Sequence, residues 1–133
     1  METLHSKTEQ PGQYPHRITI RNHVIRTDLE TPAGGADTAP SAHDYFDAAL
    51  ASCKSLTAMW YAKKNGMPLE SIDVHVERDD SAERQGRYVL RVRLAFHGPL
   101  SDEQRTRLYA AVGKCPVHKL MTSTDVVIET APL

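Results

Sequence analysis

The segment between Ser41 and Gly66 constrains the fold of this chain more than any other part of the sequence. Its apolar residues recur at three-and-four spacing, which predicts one long helix from about residue 41 to residue 65. Ser41 suits the N-cap, Asp44 places a carboxylate in the first turn, and Gly66 supplies the stop. Apolar side chains occupy nearly every face, and only the last turn is polar. We therefore predict a central helix that is covered by a sheet and by a second copy of the chain.

Two segments on either side of this helix predict β-hairpins. Residues 16–25 form a predicted strand that turns at residues 21–23 into a second short strand ending near residue 29. Apolar and polar residues alternate at 72–76 and again at 88–96, with a polar loop between them. Each of these strands is therefore expected to have one face toward solvent.

The C-terminal third of the chain predicts two helices and a last strand. Ser101 and Gln104 form a capping box that opens a helix running to about residue 112. Pro116 suits the first turn of a short helix that ends near residue 121, and residues 125–129 predict a last strand. The element order ββ-α-ββ-αα-β predicts an α+β fold.

Length and charge restrict the class of protein. The 133 residues suit one globular domain, which we assign to residues 14–133, and the polar residues 1–13 predict a flexible N-terminal tail. The formal net charge of -1 predicts no general attraction to nucleic acid or to an anionic membrane surface. We see neither a signal peptide nor a membrane span in the sequence, and we expect a cytoplasmic protein.

The chain contains two cysteines, Cys53 and Cys115. Cytoplasmic thiols stay reduced, so a bond between the two is expected to be transient, and the alternative is that both are small buried apolar residues. Pro116 predicts Cys115 as the N-cap of the short helix, where free N–H groups, Lys114 and His118 favour the thiolate. Cys53 lies in the middle of a helix on an apolar side, which raises a thiol pKa. The local sequence therefore favours Cys115 as the reactive cysteine.

Other polar residues are candidates for supporting roles. His43 and Asp44 at the head of the long helix are an acid/base or orienting pair, or else a solvated capping turn. His118 lies three residues after Cys115 and could share a metal with it, although this spacing alone is a weak zinc signal. Three arginines line the first hairpin and are either its solvent face or the cation that a buried thiolate needs: Arg17, Arg21 and Arg26. Neither a metal nor another cofactor is expected.

Two cysteine-centred motifs occur in a defined order. The first runs from Pro40 to Cys53 and on to Gly66, the Leu100-Ser-Asp-Glu-Gln turn follows, and the second is Lys114-Cys-Pro-Val-His118. From about residue 18 to residue 130 the chain resembles the OsmC/Ohr family, the osmotically inducible and organic hydroperoxide resistance proteins. The resemblance implies an intertwined homodimer with central long helices flanked by antiparallel sheets, and an active site at each end of the dimer interface.

The resemblance also implies a peroxiredoxin-like thiol peroxidase that reduces organic hydroperoxides to alcohols. The position of Cys53 attacks the peroxide and becomes a sulfenic acid, and the position of Cys115 resolves it as an intramolecular disulfide. A dithiol reductant, for which a lipoyl-type dithiol is one candidate, then restores both thiols. The resemblance thus favours Cys53 as the first nucleophile, against the local argument for Cys115, and we follow the family.

The sequence departs from this family at one supporting position. The peroxidases carry a glutamate ten residues before the first cysteine, where it holds an arginine over the sulfur, and here that position is His43, with Asp44 beside it. Arg21 is our candidate for the arginine. The departure keeps open a second hypothesis, a non-catalytic OsmC-like protein that binds a small apolar or electrophilic ligand at the dimer interface. A third is a metal site formed by Cys53, Cys115 and His118.

Overall fold

The computed structural model describes residues 2–133, over which the chain forms five strands in two antiparallel sheets and three α-helices. The chain divides into two units, one ending at Phe46 and one beginning at Asp47. Both sheets and all three helices together confirm the predicted α+β class. The prediction of a single domain over residues 14–133 stays a prediction.

The first unit contains a three-stranded sheet in the order β1-β2-β3. Its strands are β1 (Leu4–Thr8), β2 (His16–Ile20) and β3 (His23–Thr27), all antiparallel to their neighbours. The β2–β3 hairpin confirms the prediction, and its tight turn holds Arg21 at a positive φ of 53°. The prediction of a flexible tail is wrong for residues 4–8. All five β1 side chains are exposed, so this strand depends on backbone pairing with the edge of β2, which composition does not reveal.

The long helix, α1 (Ala42–Lys64), begins and ends within one residue of the predicted positions. At its C-terminal end Gly66 takes a left-handed φ of 63°. The N–H of Met67 donates to the carbonyl of Ala62 at 2.8 Å, and the N–H of Gly66 donates to Lys63 at 3.4 Å. This pair of hydrogen bonds is a Schellman motif, and it requires the glycine that the sequence supplies.

The second unit packs a hairpin and two helices around the C-terminal part of α1. The hairpin consists of β4 (Ser71–Asp79) and β5 (Val89–His97), and the helices are α2 (Asp102–Val112) and α3 (Pro116–Thr122). Ser101 and Gln104 form the predicted capping box at the start of α2. The buried core contains residues of α1, the α1–β4 loop, β5 and α2: Ala58, Ala62, Met67, Leu69, Phe96, Leu108 and Val112.

The predicted last strand at residues 125–129 is absent, so the observed order is βββ-α-ββ-αα. Val126, Val127 and Ile128 are instead 59%, 73% and 83% exposed. β-Branched residues favour an extended chain, but a strand also needs a neighbouring edge for its backbone hydrogen bonds. Across residues 2–133, the structure pairs no such edge with this segment.

None of the helices in the described part of the chain is both long enough and apolar enough to cross a membrane.

Candidate active site

Cys53 and Cys115 meet where the middle of α1 faces the start of α3. The two thiols lie within hydrogen-bonding reach of each other, and both cysteines are free. The backbone N–H of Val117, in the first turn of α3, donates to Sγ of Cys53 at 3.4 Å. Cys53 also lies 3.9 Å from the hydroxyl oxygen of Thr57, one turn later on α1. Two sulfur atoms from distant parts of the sequence thus share one site.

Cys115 occupies the N-cap of α3, as predicted. Its φ of -63° and ψ of 143° are extended, and Pro116 starts the helix. The Cys115 side chain is 0% exposed. Burial raises the pKa of the Cys115 thiol, and the hydrogen bond with Cys53 raises it further. The backbone N–H of His118 lowers this pKa, but by less. At the start of α3 desolvation therefore outweighs the local N–H groups, and which of the two thiols reacts first stays a prediction.

Lys54 contributes a buried ammonium to the same site. Its side chain is only 5% exposed. Nζ donates to the carbonyl of Val112 at 2.8 Å and to Sγ of Cys115 at 3.7 Å, and it lies 3.2 Å from Nδ1 of His118. The ammonium lowers the pKa of Cys115, against the larger effect of burial. Lys54 is therefore a charged component of the cysteine site.

Lys54 was not among the predicted site residues, although the sequence carries a signal for it. Lys54 is the only charged residue between Asp47 and Lys63, in a helix with apolar residues on nearly every face. A lysine in such surroundings either extends its ammonium to solvent or finds buried acceptors. Which of these occurs depends on tertiary contacts that the sequence does not show.

His118 lies in the site through its contact with Lys54. Its Nδ1 faces the Lys54 ammonium, which can only donate, so Nδ1 is the acceptor in that contact. Within residues 2–133, no three His, Cys, Asp or Glu side chains are grouped as a metal site requires. The alternative of a metal held by Cys53, Cys115 and His118 is therefore without support in the described chain.

An open cavity of about 970 Å³ gives access to one of the two sulfurs. Cys53 lines it together with the large apolar side chains of Leu56 and Trp60. Two cationic side chains, Arg107 and Lys114, also line the cavity. Cys115 is not part of the lining. Cys53 is partly exposed and Cys115 is fully buried, so a ligand in the cavity meets Cys53.

Arg107 is the arginine in this lining, and it was not among the predicted site residues. It donates to the hydroxyl of Tyr61 on α1 at 3.3 Å and to Oδ1 of Asn65, the residue after the end of α1, at 3.2 Å. Its guanidinium also lies 5.6 Å from the centre of the Tyr61 ring. These contacts hold Arg107 along α1, one side of the cavity.

Three of the predicted supporting residues lie in the first unit. Arg21 forms an ion pair with Glu2 at 3.6 Å, and its side chain is 57% exposed. Asp44 accepts from the N–H of Ser41 at 2.9 Å while its own N–H donates to the Ser41 hydroxyl at 3.2 Å, so this pair caps α1. His43 lies in the exposed first turn of α1. A role for Arg21, His43 or Asp44 beside the cysteines stays a prediction.

A buried carboxylate fixes α1 against the hairpin of the second unit. Asp47 is 9% exposed, and it accepts from Nε of Arg78 at 2.5 Å and from the Tyr88 hydroxyl at 2.8 Å. Burial, followed by the hydrogen bond to Asp47, raises the pKa of Tyr88 to about 12. Asp47 lies less than two turns before Cys53 on the same helix, so this contact helps to position the sulfur.

Solved structures with a similar fold come from several bacteria. An OsmC-like protein from Mycoplasma pneumoniae is 17% identical with a TM-score of 0.70, over 92% of this chain and 88% of its own. The organic hydroperoxide resistance protein OsmC from Legionella pneumophila is 18% identical with a TM-score of 0.64, over 92% and 90%. The organic hydroperoxide resistance protein OhrB of Bacillus subtilis is 19% identical with a TM-score of 0.55, over 92% and 91%. At these identities the likeness shows the fold alone.

Comparison at the sequence level identifies the family. No curated protein matches the chain at a significant level. A family described as OsmC-like protein matches residues 34–131, which cover α1, the β4–β5 hairpin, both shorter helices and both cysteines. The match extends over well more than half of the chain. The chain therefore belongs to the OsmC-like protein family.

Proposed function

We propose that this protein is a thiol peroxidase that reduces organic hydroperoxides to alcohols through Cys53 and Cys115. One observation carries the proposal: a partly exposed thiol, Cys53, lines an apolar cavity and lies within hydrogen-bonding reach of a second, buried thiol. Membership of the OsmC-like family supports it, as do the names of relatives of the same fold, which refer to organic hydroperoxide resistance.

The first step of the proposed cycle takes place at Cys53. Its thiolate attacks one oxygen of the hydroperoxide, an S–O bond forms and the O–O bond breaks. The alkoxide leaves and takes up a proton to become the alcohol, while Cys53 becomes a sulfenic acid. The N–H of Val117 points at this sulfur and stabilises its negative charge before the attack. The apolar cavity wall suits the organic part of the peroxide.

The second step joins the two cysteines. The Cys115 sulfur attacks Sγ of Cys53, an S–S bond forms and the S–O bond breaks. Hydroxide leaves and, with the proton from Cys115, becomes water. One hydroperoxide and two thiols thus yield one alcohol, one water and one disulfide. A dithiol reductant, of which a lipoyl-type dithiol is one example, then reduces the disulfide by exchange. A cytoplasmic location, where thiols are kept reduced, fits this cycle.

Steady-state turnover with matched cysteine variants tests the proposal. We expect the parent protein to consume tert-butyl or cumene hydroperoxide in the presence of a dithiol, and Cys53→Ser to consume none. Cys115→Ser should react once and retain a sulfenic acid on Cys53, which a dimedone adduct of that peptide detects by mass spectrometry. A parent protein that leaves both hydroperoxides unchanged, with both thiols reduced, contradicts the proposal.

A second candidate function is favoured by the size of the cavity. About 970 Å³ is ample for a small molecule, and a non-catalytic OsmC-like protein would bind an apolar or electrophilic ligand there. His43, at the position of the family's glutamate, motivates this alternative. Thiols that do not react with hydroperoxides but do react with an apolar maleimide would favour the binding function. Dithiol-dependent turnover of hydroperoxide would exclude it.

A further inference from the structure

We propose that Lys54 is a catalytic residue for the second step, in which its ammonium stabilises the thiolate of Cys115 as that sulfur attacks the Cys53 sulfenic acid. The inference rests on the proposed peroxidase function and assigns the resolving half of its cycle to a specific cation. Nζ of Lys54 touches the reacting atom itself, because it lies 3.7 Å from Sγ of Cys115.

The Lys54 ammonium is held by three acceptors, which matches its three N–H groups. They are the carbonyl of Val112 at 2.8 Å, Nδ1 of His118 at 3.2 Å and Sγ of Cys115 at 3.7 Å. Val112 is the last residue of α2, so the carbonyl end of that helix attracts the positive charge. This arrangement fixes Nζ beside the sulfur before the reaction begins.

Charge balance at the site favours an anionic partner for Lys54. The side chain is 5% exposed, and a buried ammonium without a counter-charge is costly. Among the ionic contacts described for residues 2–133, none joins Lys54 to a carboxylate. The Val112 carbonyl and Nδ1 of His118 carry no negative charge. The Cys115 thiol is the one group in contact with Nζ that can become an anion by losing a proton.

The local geometry separates the roles of two neighbouring residues. Cys53 and Lys54 are consecutive on α1, so their side chains project about 100° apart around the helix. Cys53 faces the open cavity, whereas Lys54 reaches the buried junction of α2 and α3. α1 thus directs the Cys53 sulfur toward the cavity and, from its adjacent face, the Lys54 ammonium toward the Cys115 sulfur.

The charged form of Cys115 depends on every group that faces it. Burial and the thiol of Cys53 disfavour the Cys115 thiolate. The backbone N–H of His118 and the ammonium of Lys54 favour it. Lys54 is the only full charge among these groups. During resolution it remains protonated: the S–S bond forms, the S–O bond of Cys53 breaks, and the departing hydroxide takes the proton that Cys115 lost. The same cation stabilises Cys115 as the leaving thiolate when a dithiol reduces the disulfide.

Neutral and charged replacements of Lys54 test the inference. Lys54→Met removes the charge and keeps the length of the side chain, and Lys54→Arg keeps the charge. Lys63→Met is the matched control, since Lys63 lies exposed at the end of the same helix. After one equivalent of hydroperoxide, Lys54→Met should form the Cys53 sulfenic acid but close the disulfide at least about tenfold more slowly, the change that corresponds to one pKa unit. Lys54→Arg should retain part of the parent rate, and Lys63→Met all of it.

A second readout needs no peroxide and reports on the thiolate directly. In a Cys53→Ser background, the ultraviolet absorbance of the Cys115 thiolate is titrated with and without Lys54→Met. The titration midpoint should move upward by at least about one pH unit in the Lys54→Met protein and stay in place with Lys63→Met. If Lys54→Met fails to fold, Lys54→Gln takes its place in both measurements.

The outcomes distinguish the inference from the function on which it rests. A parent protein that hydroperoxide does not oxidise overturns the proposed function, and the titration alone then decides whether Lys54 stabilises the Cys115 thiolate. Unchanged disulfide closure together with an unchanged titration midpoint in Lys54→Met overturns the inference, even if the parent is an active peroxidase.

Discussion

At the scale of single residues, the thiols of Cys53 and Cys115 lie in different environments although they are chemically identical. Cys53 is partly exposed on a cavity wall and accepts an N–H, and Cys115 is buried with its pKa raised by desolvation. The local sequence favoured Cys115 as the reactive cysteine. It identified the N-cap position of Cys115 correctly, but the depth of burial is a tertiary property that outweighs a favourable helix start.

This difference in exposure predicts a difference in labelling. A bulky maleimide added to the reduced protein at neutral pH should modify Cys53 at least about tenfold faster than Cys115, because reaction requires both access and a thiolate. Mass spectrometry of the two cysteine peptides at successive times measures both rates. Cys53→Ser, which leaves only the buried thiol, is the control for the slow reaction. Equal rates at the two cysteines would contradict the environments described for them.

At the scale of elements, local signals in the sequence predicted the helices well. The Ser41 and Asp44 cap, the Gly66 stop and the Ser101 capping box each form hydrogen bonds within a few residues, so they are visible without tertiary information. Strands at the chain ends were predicted poorly. A polar segment at residues 4–8 pairs with a neighbour, and an apolar one at 125–129 does not, because pairing depends on an available edge rather than on composition.

The contact between α1 and the second hairpin predicts a pH-dependent stability. The folded protein raises the pKa of Tyr88 from 10.0 to about 12, so the unfolded chain loses this proton first as the pH rises. The contribution of Tyr88 is therefore complete below pH 10 and is lost as the pH approaches 12. Tyr88→Phe should lower the free energy of unfolding at pH 7 by about 1–2 kcal/mol, since Asp47 loses a buried hydrogen bond.

Urea unfolding of the parent and Tyr88→Phe proteins at several pH values measures this effect. Other groups titrate in the same alkaline range in both proteins, so the difference between the two isolates Tyr88. We expect that difference to shrink between pH 10 and 12. A difference that is constant across this range would contradict the role assigned to the Tyr88–Asp47 contact.

At the scale of the whole molecule, the long helix explains the prediction of a homodimer. Leu56 and Trp60 on α1 are 67% and 60% exposed, and both line the cavity that contains Cys53. Large apolar side chains grouped in this way favour coverage by a partner. We expect light scattering to give the mass of a dimer and Leu56→Glu to shift the protein toward the monomer, while Lys63→Glu on the same helix has no such effect. A monomeric mass at every concentration would contradict this prediction.

The candidate site as a whole was predicted in part. Both cysteines were identified from two short motifs, and His118 was identified with them, because the motifs are contiguous in the sequence. Lys54 and Arg107 were not identified. Their contacts with the site form only when α1 and α2 pack together, and this packing is not visible in the local sequence.

The most direct test of the account is the fate of the two thiols after one equivalent of an organic hydroperoxide. Reduced protein is mixed with cumene hydroperoxide without any reductant, quenched with an alkylating agent and digested, and the linked peptides are measured by mass spectrometry. We predict the loss of both free thiols and an intramolecular Cys53–Cys115 disulfide in proportion to the peroxide consumed. Two thiols that remain free, or a disulfide that joins two chains instead, would contradict it.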